Sequence, residues 1–409
     1  MSTDVDGGPV GTVRPEVRPE VALGPALVQG SGVVHFMHDP VTDMYYRIGA
    51  REAFVVGRLL AGDAIEDAQG AYAEHYGAPL PDATAAAFVV RLAQRGLLVG
   101  APGEVLDAIA RRGAAERHRR TAVRALFPVP WLGRLVRSAS RRLRWALAPG
   151  PLVVLSLLGL AAGVWTAAHV DELVAVPHGW GVNVLTALVL AASVGVHELF
   201  HGVACTRFGG VPREVGLMWR APIVAAYCSV DDVVVFPRTR DRVVTVYAGT
   251  YAHLVVLVVL WLAYALSPAG GTVHAVAASS LLAGSAIVVV NLVPVFGLDG
   301  YRMLEHATGT WSLQGSAFAH VGARLARRPS PRLPARLARL YWCYATLSTA
   351  LVAAGVVTLV GVWWRTLDGY WGPSAATAFL AAEAVLLVLA GVWLRRRAAR
   401  SAARKAARS

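Results

Sequence analysis

The chain has almost no lysine and few cysteines, and each scarcity narrows what it can be. Of its 39 basic residues all but Lys405 are arginine, and the 409 residues contain three cysteines, Cys205, Cys228 and Cys343. Three thiols, odd in number and far apart, build no disulfide framework and call for no oxidising compartment. Charge is sparse too: charged side chains make up 16% of the chain against 56% hydrophobic residues, and the mean hydropathy is +0.50. That balance excludes an ordinary soluble enzyme of this length and implies a polytopic membrane protein. The net charge of +13 comes from arginines beside hydrophobic runs, without an aromatic-rich basic face. Anionic lipid and membrane topology explain it, and no nucleic-acid partner is expected. The first residues show no basic stretch followed by an apolar run, so no cleaved signal peptide is expected.

Six apolar segments, near 151–170, 180–204, 243–266, 273–297, 340–364 and 374–394, are each long enough to cross ~30 Å of hydrocarbon. The loops 171–179 and 267–272 contain no Arg or Lys, whereas 206–242, 300–339 and the tail after Leu394 are arginine-rich. The excess of positive charge places those loops and both termini in the cytoplasm, in a cytoplasmic or inner membrane. The fold class expected is mainly α, with six transmembrane helices and a small N-terminal α+β domain.

Within the second segment stands His197-Glu198-Leu199-Phe200-His201. Positions i and i+4 share one helical face, so both imidazoles can reach a single zinc ion, and Glu198 beside the first can take a proton from a bound water. This is the arrangement of a zinc-dependent hydrolase. Three ionisable groups in five residues of a membrane segment are costly without a role. His197 lies ~25 Å along its helix at 1.5 Å per residue, near the inner face, and the fourth segment ends on that side at Leu298-Asp299-Gly300.

Asn291 to Gly300 has the form N-x-x-P-x-x-x-x-D-G, and its aspartate follows His201 by 98 residues. Together with the HExxH it resembles the site-2 protease family of intramembrane zinc metalloproteases, over roughly residues 180–310, a three-helix catalytic core. The resemblance implies His197, His201 and Asp299 as zinc ligands, Glu198 as general base, and a peptide or protein substrate. The family's G-P-x-x-N pattern is replaced by Gly249-Thr250-Tyr251-Ala252-His253, and Asp299-Gly300-Tyr301-Arg302-Met303-Leu304 resembles the D-G-Y-x-L-L form of peptide-maturation relatives. Asn291 either stabilises the oxyanion or caps the helix break before Pro294.

Residues 1–28 show no periodicity and read as a flexible leader. From Val33, two β-prone runs, 33–37 and 44–48, flank a turn and form a hairpin, followed by helices at 50–60, 64–76 and 84–95. With Tyr45-Tyr46-Arg47-Ile48-Gly49 and Leu92 to Leu98, residues 29–102 resemble the PqqD-like winged-helix modules that bind precursor peptides through a strand edge and a helix groove. Residues 103–148, arginine-rich and broken at Phe127-Pro128-Val129-Pro130, read as a basic interfacial linker. Residues 149–396 form the membrane metalloprotease domain and 397–409 a basic tail. The loop 206–242 carries strand-like runs at 214–219, 224–229 and 233–236, an edge able to clamp an extended substrate.

The expected function is a membrane-embedded zinc endopeptidase that matures a precursor peptide near the cytoplasmic face. The alternatives are a regulatory intramembrane protease, or a metal-binding transport or immunity protein without turnover. Cys205, one turn beyond His201, reads as a packed thiol, and Leu367-Asp368-Gly369, in an expected external loop, as a decoy of the Asp299 motif. His253 and Glu383 read equally as proton or substrate contacts and as polar residues buried between helices, and neither is placed in the catalytic set.

Overall fold

The computed structural model describes residues 15–117, 124–177, 179–220, 223–295 and 297–406. Residues 1–14 of the expected leader and 407–409 of the tail lie outside the described residues. The chain opens with strands β1 (Ala22–Leu23), β2 (Leu27–Gln29), β3 (Gly32–Asp39) and β4 (Met44–Gly49). β3 is central: β1 and β2 pair with one of its edges and β4 with the other, all antiparallel, with Asp39 opposite Met44. The β3–β4 turn is closed by Asp39, whose carboxylate accepts the Val41 N–H at 3.1 Å and the Thr42 hydroxyl at 2.6 Å, an Asx turn.

Three helices follow, α1 (Ala50–Leu60), α2 (Ile65–Tyr76) and α3 (Asp82–Gln94), within two residues of the expected bounds. Glu52 reaches back to the Gly49 N–H at 3.0 Å to cap α1, and Gly77, at φ 67°, ends α2 in the left-handed conformation glycine adopts without strain. Their apolar faces bury Val55, Val56, Leu59, Tyr72, Phe88 and Leu92 against Met37 and Ile48.

Residues 15–28 of the stretch expected as a flexible leader are part of this fold. Val17 bridges to Leu98, Arg18 donates to the Gly96 carbonyl at 3.0 Å and pairs with Asp39 at 2.5 Å, and Val17 and Val21 are buried in the core. Segments of two and three strand residues carry no periodicity of their own; pairing with the longer β3 orders them.

The basic stretch expected as a linker is structured as well. It contains α4 (Gly103–Arg117), β5 (Arg124–Pro128) and the amphipathic α5 (Pro130–Leu143), with Val136 buried and Trp131 exposed. Residues preceding proline are driven to extended backbone, so Phe127-Pro128-Val129-Pro130 breaks the helix and makes a strand. β5 pairs with β6 (Val215–Arg220), and β6 with β7 (Ile223–Cys228). The third strand-like run, 233–236, falls instead mainly in a 3-10 turn at Asp231–Val235, where Asp232 accepts the Val211 N–H at 2.7 Å.

The remaining helices are α6 (Pro149–Ala168), the short α7 (Val170–Ala175), α8 (Trp180–Arg207), α9 (Thr239–Leu266), α10 (Thr272–Leu292), α11 (Asp299–Thr308), α12 (Leu313–Leu325), α13 (Ala335–Trp371) and α14 (Pro373–Ala406). α6, α8, α9, α10, α13 and the first part of α14 are long and apolar enough to cross a membrane. α9 packs against α6, α8, α10 and α11. Its residues Ala248 to Leu254 are buried without interruption, as expected of a helix enclosed on all sides. At Gly159 of α6 an added Cβ would lie 2.5 Å from Leu254, so α6 and α9 meet backbone to backbone. The fourth span stops at Leu292, short of the expected 297, because Pro294 offers no N–H and forces Val293 extended.

From Trp342 onward the chain forms a compact unit of its own. α13 and α14 fold back on each other at Gly372, and Glu383 accepts the Trp363 indole N–H at 3.3 Å. Asp368 lies within α13, not in a loop.

The N-terminal sheet is fixed to the chain that follows. Leu27, Val34 and Phe36 cluster with Val234, Val235 and Trp311, and the rings of Phe36 and Trp311 lie 4.4 Å apart. Val28 exchanges backbone hydrogen bonds with Gly309 and Trp311 at 2.9 and 2.8 Å. Beside them Tyr45 donates to Asp232, His38 lies 3.3 Å from the same carboxylate, and Arg213 pairs with Asp43 at 2.5 Å. Burial, the hydrogen bond to Asp232 and its charge push the Tyr45 phenol up, so it stays a donor.

Candidate metal centre

His197 and His201 project from one face of α8 and are buried, 6% and 7% exposed. Their Nε2 atoms stand 3.1 Å apart. Asp299 Oδ2 lies 3.1 Å from His197 Nε2 and 3.4 Å from His201 Nε2. The helix break at Pro294 makes this possible: it ends α10, and Asp299 begins α11, facing the histidine pair. Among the described residues these three side chains form the one group of His, Cys, Asp and Glu residues able to hold a metal ion. Burial pushes the Asp299 carboxyl up, but the two histidines beside it bring it well below the usual carboxylate range. Its buried Oδ2 has the two imidazole nitrogens as neighbours. Two imidazole nitrogens and a carboxylate oxygen thus converge on one point, an arrangement a cation satisfies.

α9 shapes the site from the other side. The Thr245 carbonyl accepts from His201 Nδ1 at 2.9 Å, which leaves the Nε2 lone pair facing the carboxylate. One turn further, a Cβ on Gly249 would lie 2.4 Å from His201 Nε2 and 2.6 Å from His197 Nε2. Only glycine fits there. Thr245 is not identifiable from the motifs as part of the site; Gly249 opens the stretch that stands in place of the family's G-P-x-x-N pattern, and a glycine in the middle of an apolar helix was a further signal.

Glu198 is half-buried and accepts the Cys228 backbone N–H at 2.9 Å. Ser229, the next residue, directs its N–H to Glu214 on the β6 side at 2.8 Å. Successive N–H groups of a strand alternate in direction, so the Cys228 N–H and Glu198 lie along the open edge of β7. The Cys228 thiol is pushed up to about 12 by burial, then by the charges of Glu198 and Asp231, and stays neutral.

The remaining candidates fall outside the group. Asn291 sits in the last turn of α10, half-buried, and among the described residues no hydrogen bond joins its amide to Asp299 or the histidines. Cys205 is fully buried in a cluster with Val233, Phe236 and Val246. Asp368 belongs to no metal-binding group. His253, by contrast, stands beside the site, its ring 4.6 Å from that of His197. No family model, no curated protein and no solved structure matches this chain.

Proposed function

We propose that the protein is a membrane-embedded zinc endopeptidase of the site-2 protease type, acting on a precursor peptide near the cytoplasmic face of the membrane. The observation that carries this reading is the spacing of the three ligand atoms next to Glu198. Tetrahedral zinc with bonds of ~2.0–2.1 Å separates its ligand atoms by ~3.3 Å, and the three separations here are 3.1, 3.1 and 3.4 Å. His197, His201 and Asp299 would hold the ion, leaving a fourth position for water or substrate.

Zinc held there would supply a water of lowered pKa and would polarise the scissile carbonyl. Glu198 takes the proton from the attacking water and passes it to the leaving amine. The Cys228 N–H holds one oxygen of its carboxylate, which orients the other. Peptide bonds are cut in extended chains, and a substrate added as a strand to the open edge of β7 runs past Glu198. Asn291, close in sequence to the Asp299 turn, is kept as a substrate-binding candidate.

The N-terminal domain, in this reading a winged-helix peptide-binding module, delivers the substrate. Its support is the docked arrangement: Tyr45 of β4 holds Asp232, four residues beyond Cys228. The arginine-rich loops and tail support, in this reading, a cytoplasmic side for the termini and the site, with anionic lipid as the surrounding partner. The test is cleavage by the full chain in liposomes of a precursor peptide encoded beside it. Hydrolysis that stops with a chelator, returns with zinc and is absent in Glu198→Gln is expected; undiminished hydrolysis by Glu198→Gln would overturn the assignment.

A further inference from the structure

The two ligand histidines are not equally supported. A metal-bound imidazole ordinarily gives its other N–H to a carbonyl, carboxylate or water, which fixes the ring and raises its basicity. His201 does so through Thr245. His197 does not: its Nδ1 is buried without a partner. His253, 4% exposed, is buried as well; one ring nitrogen has the Ser193 backbone carbonyl to donate to, and the other has no partner. An unpaired nitrogen on each of two touching rings, deep among apolar helices, is a considerable cost if it serves nothing.

The two rings are within reach of a direct bond. The His197 and His201 rings, with centroids 4.7 Å apart, already bring nitrogens to 3.1 Å. His253 approaches His197 at 4.6 Å, tilted by 38°, a centroid separation no larger than that of the first pair. The other nitrogen has an outlet too. It faces the Ser193 backbone carbonyl of α8. A neutral imidazole has one acceptor and one donor nitrogen; the acceptor serves His197 Nδ1–H and the donor the Ser193 carbonyl.

We propose that His253 is a positioning residue for the metal centre, accepting the Nδ1–H of His197 and so fixing its Nε2 towards the metal. The inference rests on His197 being a metal ligand. Thr245 and His253, two turns apart on α9, then each orient one histidine of α8, with Gly249 between them leaving room for the ligand nitrogens. This gives a use to a histidine that packing alone does not explain.

The test is zinc affinity of the detergent-purified full chain, measured by competition with a chelator, with the visible spectrum of the cobalt-substituted protein as a second readout. His253→Leu and His253→Phe fill the space without a nitrogen and should weaken zinc binding about 10- to 100-fold, with a shifted cobalt spectrum. His253→Gln, which keeps an acceptor, should recover most of the affinity and the parent spectrum. Parent-like affinity in the leucine and phenylalanine variants overturns the proposal, and so does a glutamine variant as weak as they are. Failure of the underlying reading looks different: a parent whose zinc survives His201→Ala does not bind it here at all.

Discussion

Gly249→Ala places one methyl group where α9 passes the ligand nitrogens. The new Cβ would lie 2.4 Å from His201 Nε2 and 2.6 Å from His197 Nε2 and Cε1, about 1 Å inside ordinary contact, which begins at 3.4 Å. Neither side yields easily. His201 is tied to Thr245 on the same helix, and α9 is packed against α6, α8, α10 and α11. Overpacking of this kind costs about 1–3 kcal/mol. Zinc tolerates ligand displacements of only ~0.2 Å, so the strain should fall on the site. The expected result is a roughly 5- to 150-fold loss of zinc affinity, read by chelator competition, with a folded protein by thermal unfolding in detergent. Gly163→Ala, on α6, meets no atom within 4 Å and should change neither. Parent-like zinc affinity in Gly249→Ala would refute the placement of the metal against α9.

Asp299→Ala should lose bound zinc and activity, whereas Asp368→Ala should keep both; equal zinc content in the two purified variants contradicts the ligand assignment. Asp232→Ala removes the acceptor shared by Tyr45 and the Val211 N–H and the carboxylate beside His38, which at a buried site costs about 3–5 kcal/mol. Hydrogen exchange in Met44–Gly49 should rise, and unchanged exchange would mean that this network does not hold the domain. His306, 8% exposed, is lowered to about 4 by burial and by Arg242 and Arg302. The unfolded chain, with a histidine near 6.5, binds the proton first as pH falls, so this stability is complete above about 6.5 and lost towards 4. Moving from pH 7.5 to 5 should cost about 2 kcal/mol through this group. His306→Gln should flatten the unfolding temperature over that range, and an unaltered slope would show that the residue does not titrate as described.

What could be read from the sequence was what is local. The four-residue spacing of His197 and His201 is a property of one helix turn. The six spans follow from hydropathy, and β3, β4 and the three helices after them from alternation, turn residues and caps. Asp299 was accessible through the resemblance of Asn291 to Gly300 to a family motif, and because hydropathy puts it at the depth of the histidines. The residues missed depend on distant ones. Val17 and Arg18 are ordered by Leu98, Gly96 and Asp39, and β5 by β6, nearly ninety positions away. Asp232 turns 231–235 away from strand because it is wanted by Val211, Tyr45 and His38. Gly249 and Thr245 serve the site through a helix-to-helix approach that no spacing within α9 records. The contacts that dock the N-terminal domain, made by Val28, Phe36 and Tyr45, are likewise distant in sequence, the nearest partner being Asp232 at 187 residues from Tyr45.

The proposed step is attack on a peptide bond by a water that Glu198 deprotonates, at a zinc ion that His197, His201 and Asp299 would hold. It is tested most directly by incubating the zinc-loaded full chain with a defined peptide library in ¹⁸O-labelled water and reading the products by mass spectrometry. The account predicts new C-terminal carboxylates carrying a single ¹⁸O from the parent protein and none from Glu198→Gln. Identical labelled products from both proteins would contradict it.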